Sequence, residues 1–126
     1  MGKSPGHQKW PEHKVHEEPL EGAAEVVVDG SVIASSRDVI KLEEDHHPTR
    51  YYFPRADVQM AKLEPTSTTS ECPFKGKASY FSINTGDKKL VDAVWCYEDP
   101  YEEHQDLKGR LAFYDDKIPG ISIRMA

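Results

Sequence analysis

The stretch Lys77-Ala78-Ser79-Tyr80-Phe81-Ser82-Ile83-Asn84, then Thr85-Gly86-Asp87, then Leu90-Val91-Asp92-Ala93-Val94-Trp95-Cys96-Tyr97, decides the fold. Side chains of a strand alternate between faces, so Tyr80 and Ser82 point one way and Phe81 and Ile83 the other. In the return run Val91, Ala93, Trp95 and Tyr97 are expected to share a side. Two β-rich runs around a Gly-containing turn predict a long antiparallel hairpin.

Upstream, Val26-Val27-Val28 and Val32-Ile33-Ala34 flank Asp29-Gly30, a pair suited to the positive backbone angles of a tight hairpin turn. The run Val39-Ile40-Lys41-Leu42-Glu43 puts Ile40 and Leu42 on one face, with Val39, Lys41 and Glu43 on the other. Arg50-Tyr51-Tyr52-Phe53 is an aromatic strand stopped by Pro54, which suits the first turn of a short helix. That helix carries Val58, Met60, Ala61 and Leu63 as a partial apolar stripe. The hydroxyl-rich Thr66-Ser67-Thr68-Thr69-Ser70 is expected to be a loop. A second helical turn opens at Asp99-Pro100, Leu111 to Tyr114 is a strand, and residues 118–124 form an exposed edge strand that leaves room for a homodimer. The expected fold is therefore mainly β: a single curled antiparallel sheet of about seven or eight strands with two short helices.

Residues 1–22 are broken by Pro5, Pro11, Pro19, Gly2, Gly6 and Gly22 and are expected to form an extended N-terminal arm. Trp10 gives that arm an apolar group with which to dock. Residues 23–126 make the single β domain, as 126 residues imply. Sixteen Lys and Arg against 22 Asp and Glu leave a net charge of −6, which argues against duplex nucleic acid and anionic membranes as partners. No apolar run approaches the roughly 20 residues of a membrane span, and the start lacks a secretory signal pattern. A cytoplasmic protein is expected. Cys72 and Cys96 are expected as free thiols in such a compartment.

The segment Cys72-Pro73-Phe74-Lys75-Gly76 is the richest in chemistry. A thiol attacks as thiolate, a form that a neighbouring Lys75 or Lys77 favours; the plainer role for Cys72 is a small packed apolar group. Glu43 at a strand end would act as acid or base if enclosed, and is otherwise a solvated edge residue. Glu43, Asp45, His46, His47, His13 and His16 are of metal-ligating type but lack the spacing of a known site, so no metal or cofactor is expected. The aromatics are mostly core, yet the hydroxyls and ring faces of Tyr52, Tyr80, Trp95 and Tyr97 suit a ligand pocket with apolar walls and polar tips. Gly30-Ser31 lies in a hairpin turn, which excludes a phosphate-binding loop there.

In order along the chain stand Val28-x-Gly30-x-x-Ile33-Ala34-Ser35-Ser36, Leu42-Glu43, and Tyr52-Phe53-Pro54-x-x-Asp57-Val58. Thr68-Thr69-x-x-Cys72-Pro73-Phe74-Lys75-Gly76 with Ala78 and Tyr80, Ala93-Val94-Trp95-x-Tyr97 with Pro100, and Phe113-Tyr114 follow. With these the chain resembles the DUF427 family, small bacterial and fungal proteins of unknown function, from about His13 to Tyr114. The resemblance implies a compact antiparallel domain similar to the β-tent group, without the paired CxxC motifs by which some β-tent relatives bind zinc. Some labels in the family say nucleotidyltransferase; here only Glu43-x-Asp45 imitates the paired carboxylates of such enzymes. Carried over by position, the family pattern falls on Glu43, Tyr52, Asp57, Cys72, Lys75, Tyr80, Trp95 and Tyr97.

Three functional expectations follow. A curled sheet binds a small polar or nucleotide-like ligand, with Tyr52, Asp57, Tyr80, Trp95 and Tyr97 contacting it and Glu43 and Lys75 orienting it. Alternatively, Cys72, Glu43 and Lys75 are catalytic in a small hydrolase or nucleotidyltransferase-like enzyme. In the third, sheet edges or the Trp10 arm bind another protein.

Overall fold

The structure, a computed structural model, describes residues 2–125; Met1 and Ala126, the outer ends of the two expected segments, lie outside them. Among the described residues ten strands form three antiparallel sheets, so the expectation of one curled sheet of seven or eight strands is corrected. The central sheet runs β6 (Leu63–Cys72), β7 (Gly76–Asn84), β8 (Lys89–Tyr97), β9 (Leu111–Phe113). A second consists of β10 (Ile121–Met125), β2 (Ala24–Val28) and β3 (Ser31–Ser36), and a third of β1 (Val15–Pro19), β4 (Ile40–Glu44) and β5 (Arg50–Tyr52). The sheets do not merge into one because β5 meets β9 at a single residue pair, where Phe53 and Leu111 exchange two backbone hydrogen bonds of 2.9 Å. Pro54 has no N–H with which to continue that ladder.

The hairpin at the centre forms as its alternation predicts, with Tyr80 opposite Trp95 and Phe81 opposite Val94. Both faces of this sheet are covered. Phe81, Ile83, Val94, Cys96, Leu111 and Phe113 pack on one side against Val26, Val28 and Ile33 of the second sheet. Ala78, Trp95, Tyr97 and Ala112 pack on the other against Ile40, Leu42 and Tyr52 of the third. The shared side expected for Val91, Ala93, Trp95 and Tyr97 holds only for the last two. The register shifts between Phe81 and Ile83, where Asp92 adopts φ +52°, so Ala93 joins the first core and Val91 stays exposed.

The Asp29-Gly30 turn forms with φ +48° and +86° and joins β2 to β3 as expected. The hydroxyl-rich segment expected as a loop is instead part of edge strand β6. Thr66 and Thr68 each donate a 2.7 Å hydrogen bond to the Asp92 carboxylate, which ties the irregular part of β6 to the irregular part of β8. Short polar side chains can serve a strand when a neighbouring strand offers such a partner. The helix expected after Pro54 is two separate 3₁₀ turns, Arg55–Asp57 and Met60–Lys62, and Leu63 opens β6. A further turn spans Glu102–Leu107. The N-terminal segment is not simply extended: Pro5–Lys9 form the short helix α1, capped by Ser4, and Val15–Pro19 pair with β4. No helix among the described residues is long and apolar enough to cross a membrane.

Phe53 is fully buried and meets Phe113 edge-on with centroids 6.0 Å apart, at the junction of the third and central sheets. Phe53→Ala is expected to lower unfolding free energy by about 3–5 kcal/mol in urea titration, with the fold retained; a loss under 1 kcal/mol would show that this junction is not tightly packed.

Candidate functional site

The second core does not close completely. Between the third sheet and the central sheet lies a hollow of about 330 Å³, walled by Tyr52, Tyr80, Trp95, Tyr97 and Tyr114. Its position follows from strand parity. Ile40, Leu42 and Glu44 alternate onto one face of β4, and Tyr80, Trp95 and Tyr97 point toward them from β7 and β8. Tyr97 stands opposite Ala78 on β7 and Trp95 opposite Ala112 on β9, both too small to fill the space beside the large rings.

At one wall the turn Cys72-Pro73-Phe74-Lys75-Gly76 joins β6 to β7 and brings Cys72 and Lys75 to the hollow. Gly76 has φ +123°, a region L side chains rarely enter, and the Tyr101 N–H donates to the Lys75 carbonyl at 2.9 Å. The turn is thus held from both ends. The Lys75 ammonium donates to Glu44, and both side chains are less than a tenth exposed. Glu44 also faces His13 Nε2 at 2.9 Å and His47 Nε2 at 3.6 Å. Burial alone would raise the Glu44 carboxyl, but the hydrogen bond and charge of Lys75, with His13 adding to them, hold it below the ordinary 4.5.

The hydroxyls of Tyr52, Tyr97 and Tyr114 stay protonated at neutral pH. Burial pushes Tyr52 and Tyr97 well above the usual phenol range and, with Tyr80 beside it, pushes Tyr114 up to about 12. Such hydroxyls can donate as well as accept. Tyr52 already accepts from the Trp95 indole at 3.2 Å, and Tyr80 shares a 2.9 Å hydrogen bond with Ser70. At the rim the Arg50 guanidinium lies 5.0 Å from the Trp95 ring centre and 5.4 Å from that of Tyr114, held by Asp116 at 2.8 Å. The Lys117 ammonium also lies over the Tyr114 ring, 5.0 Å from its centre.

Of the residues singled out from sequence, Tyr52, Cys72, Lys75, Tyr80, Trp95 and Tyr97 line this hollow, and Glu43 and Asp57 do not. Glu43 is exposed, one step out of phase with Ile40 and Leu42. The neighbouring carboxylate, Glu44, is the one that reaches Lys75. Asp57 is exposed on a separate shallow groove, where it accepts a 2.6 Å hydrogen bond from Ser36. Arg50, Glu44, Tyr114 and Lys117 were not singled out as site residues. Of these only Glu44 carried a usable signal, since extending the Ile40–Leu42 alternation by two positions reaches it. Among the described residues no three His, Cys, Asp or Glu side chains converge as metal ligands.

A family model described as a domain of unknown function, DUF427, matches residues 17–123. The chain belongs to the DUF427 family. No curated protein matches it. The matched residues of this DUF427 chain include every strand except the first two positions of β1 and the last two of β10.

Two measurements probe the wall. Lys75→Met leaves the Glu44 charge buried beside only imidazoles, so a loss of about 3 kcal/mol is expected, most of it recovered in Glu44→Gln/Lys75→Met. The folded Glu44 carboxyl titrates low, so its contribution is fully present above pH 4.5 and is lost as pH falls through the lower folded value. Glu44→Gln should flatten that part of the stability–pH curve. In the second measurement, iodoacetamide at about pH 8 should modify half-buried Cys72 well before Cys96, whose thiol is fully enclosed and pushed up to about 11 by burial. Equal rates at the two positions would contradict the enclosure of Cys96.

Proposed function

We propose that this DUF427 chain binds a small, planar, polar molecule in the aromatic hollow between its third and central sheets. One observation carries the reading: side chains from β4, β5, β7, β8 and the Cys72–Gly76 turn converge on one space of about 330 Å³, with a buried Glu44–Lys75 pair at its wall. That size lies at the small end of ligand sites, and an apolar wall with few oriented polar groups is their usual make-up. A flat ligand would stack on Trp95 or Tyr80. Tyr97 and the Glu44–Lys75 pair would supply donors and acceptors along its edge, and a nucleotide-like base is within this class.

An enzyme reading has one observation in its favour, the presence of Cys72 on the same wall as Lys75 and Glu44. In that case the bound molecule would be a substrate, and the nucleophile would be the Cys72 thiolate.

The test is a thermal-shift screen of small polar heterocycles and nucleosides against the wild-type chain, Tyr80→Phe and Trp95→Ala. A hit should raise the wild-type melting temperature and lose most of its effect in Tyr80→Phe, which keeps the ring and removes one hydroxyl. Trp95→Ala should abolish it. Hits that persist at full size in both folded variants would place binding elsewhere and overturn the proposal.

A further inference from the structure

The N-terminal segment is anchored by a hydrogen-bonded relay that runs through two histidines. Ser4 and Gly6 both donate to the Pro73 carbonyl, at 2.7 Å each, and so fasten α1 to the turn that carries Phe74 and Lys75. His7 Nε2 lies 2.8 Å from His104 Nε2, and His104 Nδ1 contacts the Glu17 carboxylate. His104 is 3% exposed and the Glu17 side chain 9%. The relay therefore links α1, the Glu102–Leu107 turn and β1 in a poorly hydrated place. Geometry allows only one proton between the two facing Nε2 atoms. With Glu17 accepting from Nδ1 of His104, that ring donates from Nε2 only if His7 Nε2 is a bare acceptor. Alternatively His7 donates to a neutral His104. In either arrangement one shared proton joins the rings, and a second proton would set two N–H groups against each other.

We propose that residues 2–10 are an acid-released strap, held over Phe74 while a single proton lies between the facing Nε2 atoms of His7 and His104 and freed when a further proton on His7 sets two N–H groups against each other. The surrounding charges act in opposing directions. His104 on the Glu102–Leu107 turn and His13 repel a proton on His7, whereas Glu103 on that turn and Glu44 on β4 attract it. Burial leads these effects and holds His7 below its ordinary 6.5. A neutral His7 thus favours the docked state, and docking weakens as the pH falls below that value. Lys3–Glu102 is an exposed ion pair of 2.9 Å and adds little. His13, stacked on Phe74 with centroids 4.2 Å apart, faces Glu44, so a proton there tightens its own contact. Lys75 and His47 also face Glu44 and remain with it. Release is therefore confined to the residues before His13.

The strap covers Phe74, which also walls the aromatic hollow. Release itself is independent of ligand binding; only its effect on occupancy rests on the function proposed above. Gly6 supplies a handle on docking that needs no proton. A Cβ there would sit 2.6 Å from the Pro73 carbonyl oxygen and 2.8 Å from the Phe74 ring, too close for the turn to accommodate.

The experiment is hydrogen–deuterium exchange on the full chain at about pH 7.5 and about pH 5, corrected for intrinsic exchange rates. The amides of Gly6, His7 and Trp10, all hydrogen-bonded when docked, report the strap. They are expected to lose about tenfold or more of their protection at the lower pH, while the β2 and β8 amides keep theirs. Gly6→Ala should show the released pattern already at the higher pH. His7→Gln, which still offers an acceptor and cannot gain a proton, should stay protected at both. Unchanged protection of the three amides in the wild type, the same pH response in His7→Gln, or loss of strap and core protection together would each overturn the proposal.

Discussion

The register of β7 against β8 is the constraint from which the rest follows. Because Tyr80 stands opposite Trp95 and Phe81 opposite Val94, one hairpin supplies the floor of both cores. Antiparallel sheets commonly leave one face wet, but here both are apolar over much of their length and each needs a cover. The second sheet covers one face, and the third covers the other less completely. A shift of one residue would exchange the two sets of side chains and bury Tyr80, Trp95 and Tyr97 against the aliphatic second sheet. The bulge at Asp92 keeps the two ends of the hairpin in different phases. It lets Ala93 and Val94 both enter the first core without dragging Trp95 along.

The Glu44–Lys75 pair occupies the place where the third sheet fails to close over the second core. Burying two charges costs several kcal/mol per ion before their attraction is counted, and apolar side chains of similar volume commonly do better for stability alone. Here the cost is offset locally. Lys75 is directed by a turn whose Gly76 has positive φ, and the second oxygen of Glu44 is met by His13. A pair held so firmly next to empty space presents a fixed dipole to whatever enters it. The protonated phenols of Tyr52 and Tyr97 in the same hollow complete a surface with oriented donors and acceptors.

Much of this was legible in the chain, and the parts that were not share a cause. The Asp29-Gly30 turn between two β-branched runs disclosed the hairpin at 24–36, and alternation around a Gly-containing turn the one at 76–97. Tyr52, Tyr80, Trp95 and Tyr97 were accessible as large, polar-tipped side chains on expected strands, and Cys72 and Lys75 through the chemistry of the segment they share. Glu43 was chosen over Glu44 although the Ile40–Leu42 phase pointed to Glu44; two adjacent carboxylates differ only in parity. Edge strand β6 had no apolar period to reveal it, since its Thr and Ser side chains find their partner in Asp92, a residue distant in the chain. The proline-broken start hid α1 and β1, which exist through tertiary contacts with Pro73 and β4 rather than through propensity. The separation of the third sheet from the central one depended on one proline stopping one bridge, an effect decided by which strand lies beside it.

Phe74 connects the two features that local sequence did not disclose. Its ring is met edge-on by His7 at 4.9 Å and stacked on by His13 at 4.2 Å, and it also contributes to the wall of the hollow. A side chain held from outside by two imidazoles is held more loosely as they become cations, since an imidazolium pays more than a neutral ring to remain partly desolvated. The two imidazoles differ in what compensates that cost. His13 has the Glu44 carboxylate within hydrogen-bonding distance, whereas His7 faces another histidine. Acid therefore acts unequally on the two supports of one ring, loosening the first and fastening the second. The Glu44–Lys75 wall keeps its outer partner while the apolar cover beside it opens, so any change at the hollow would be one of access and not of its polar geometry.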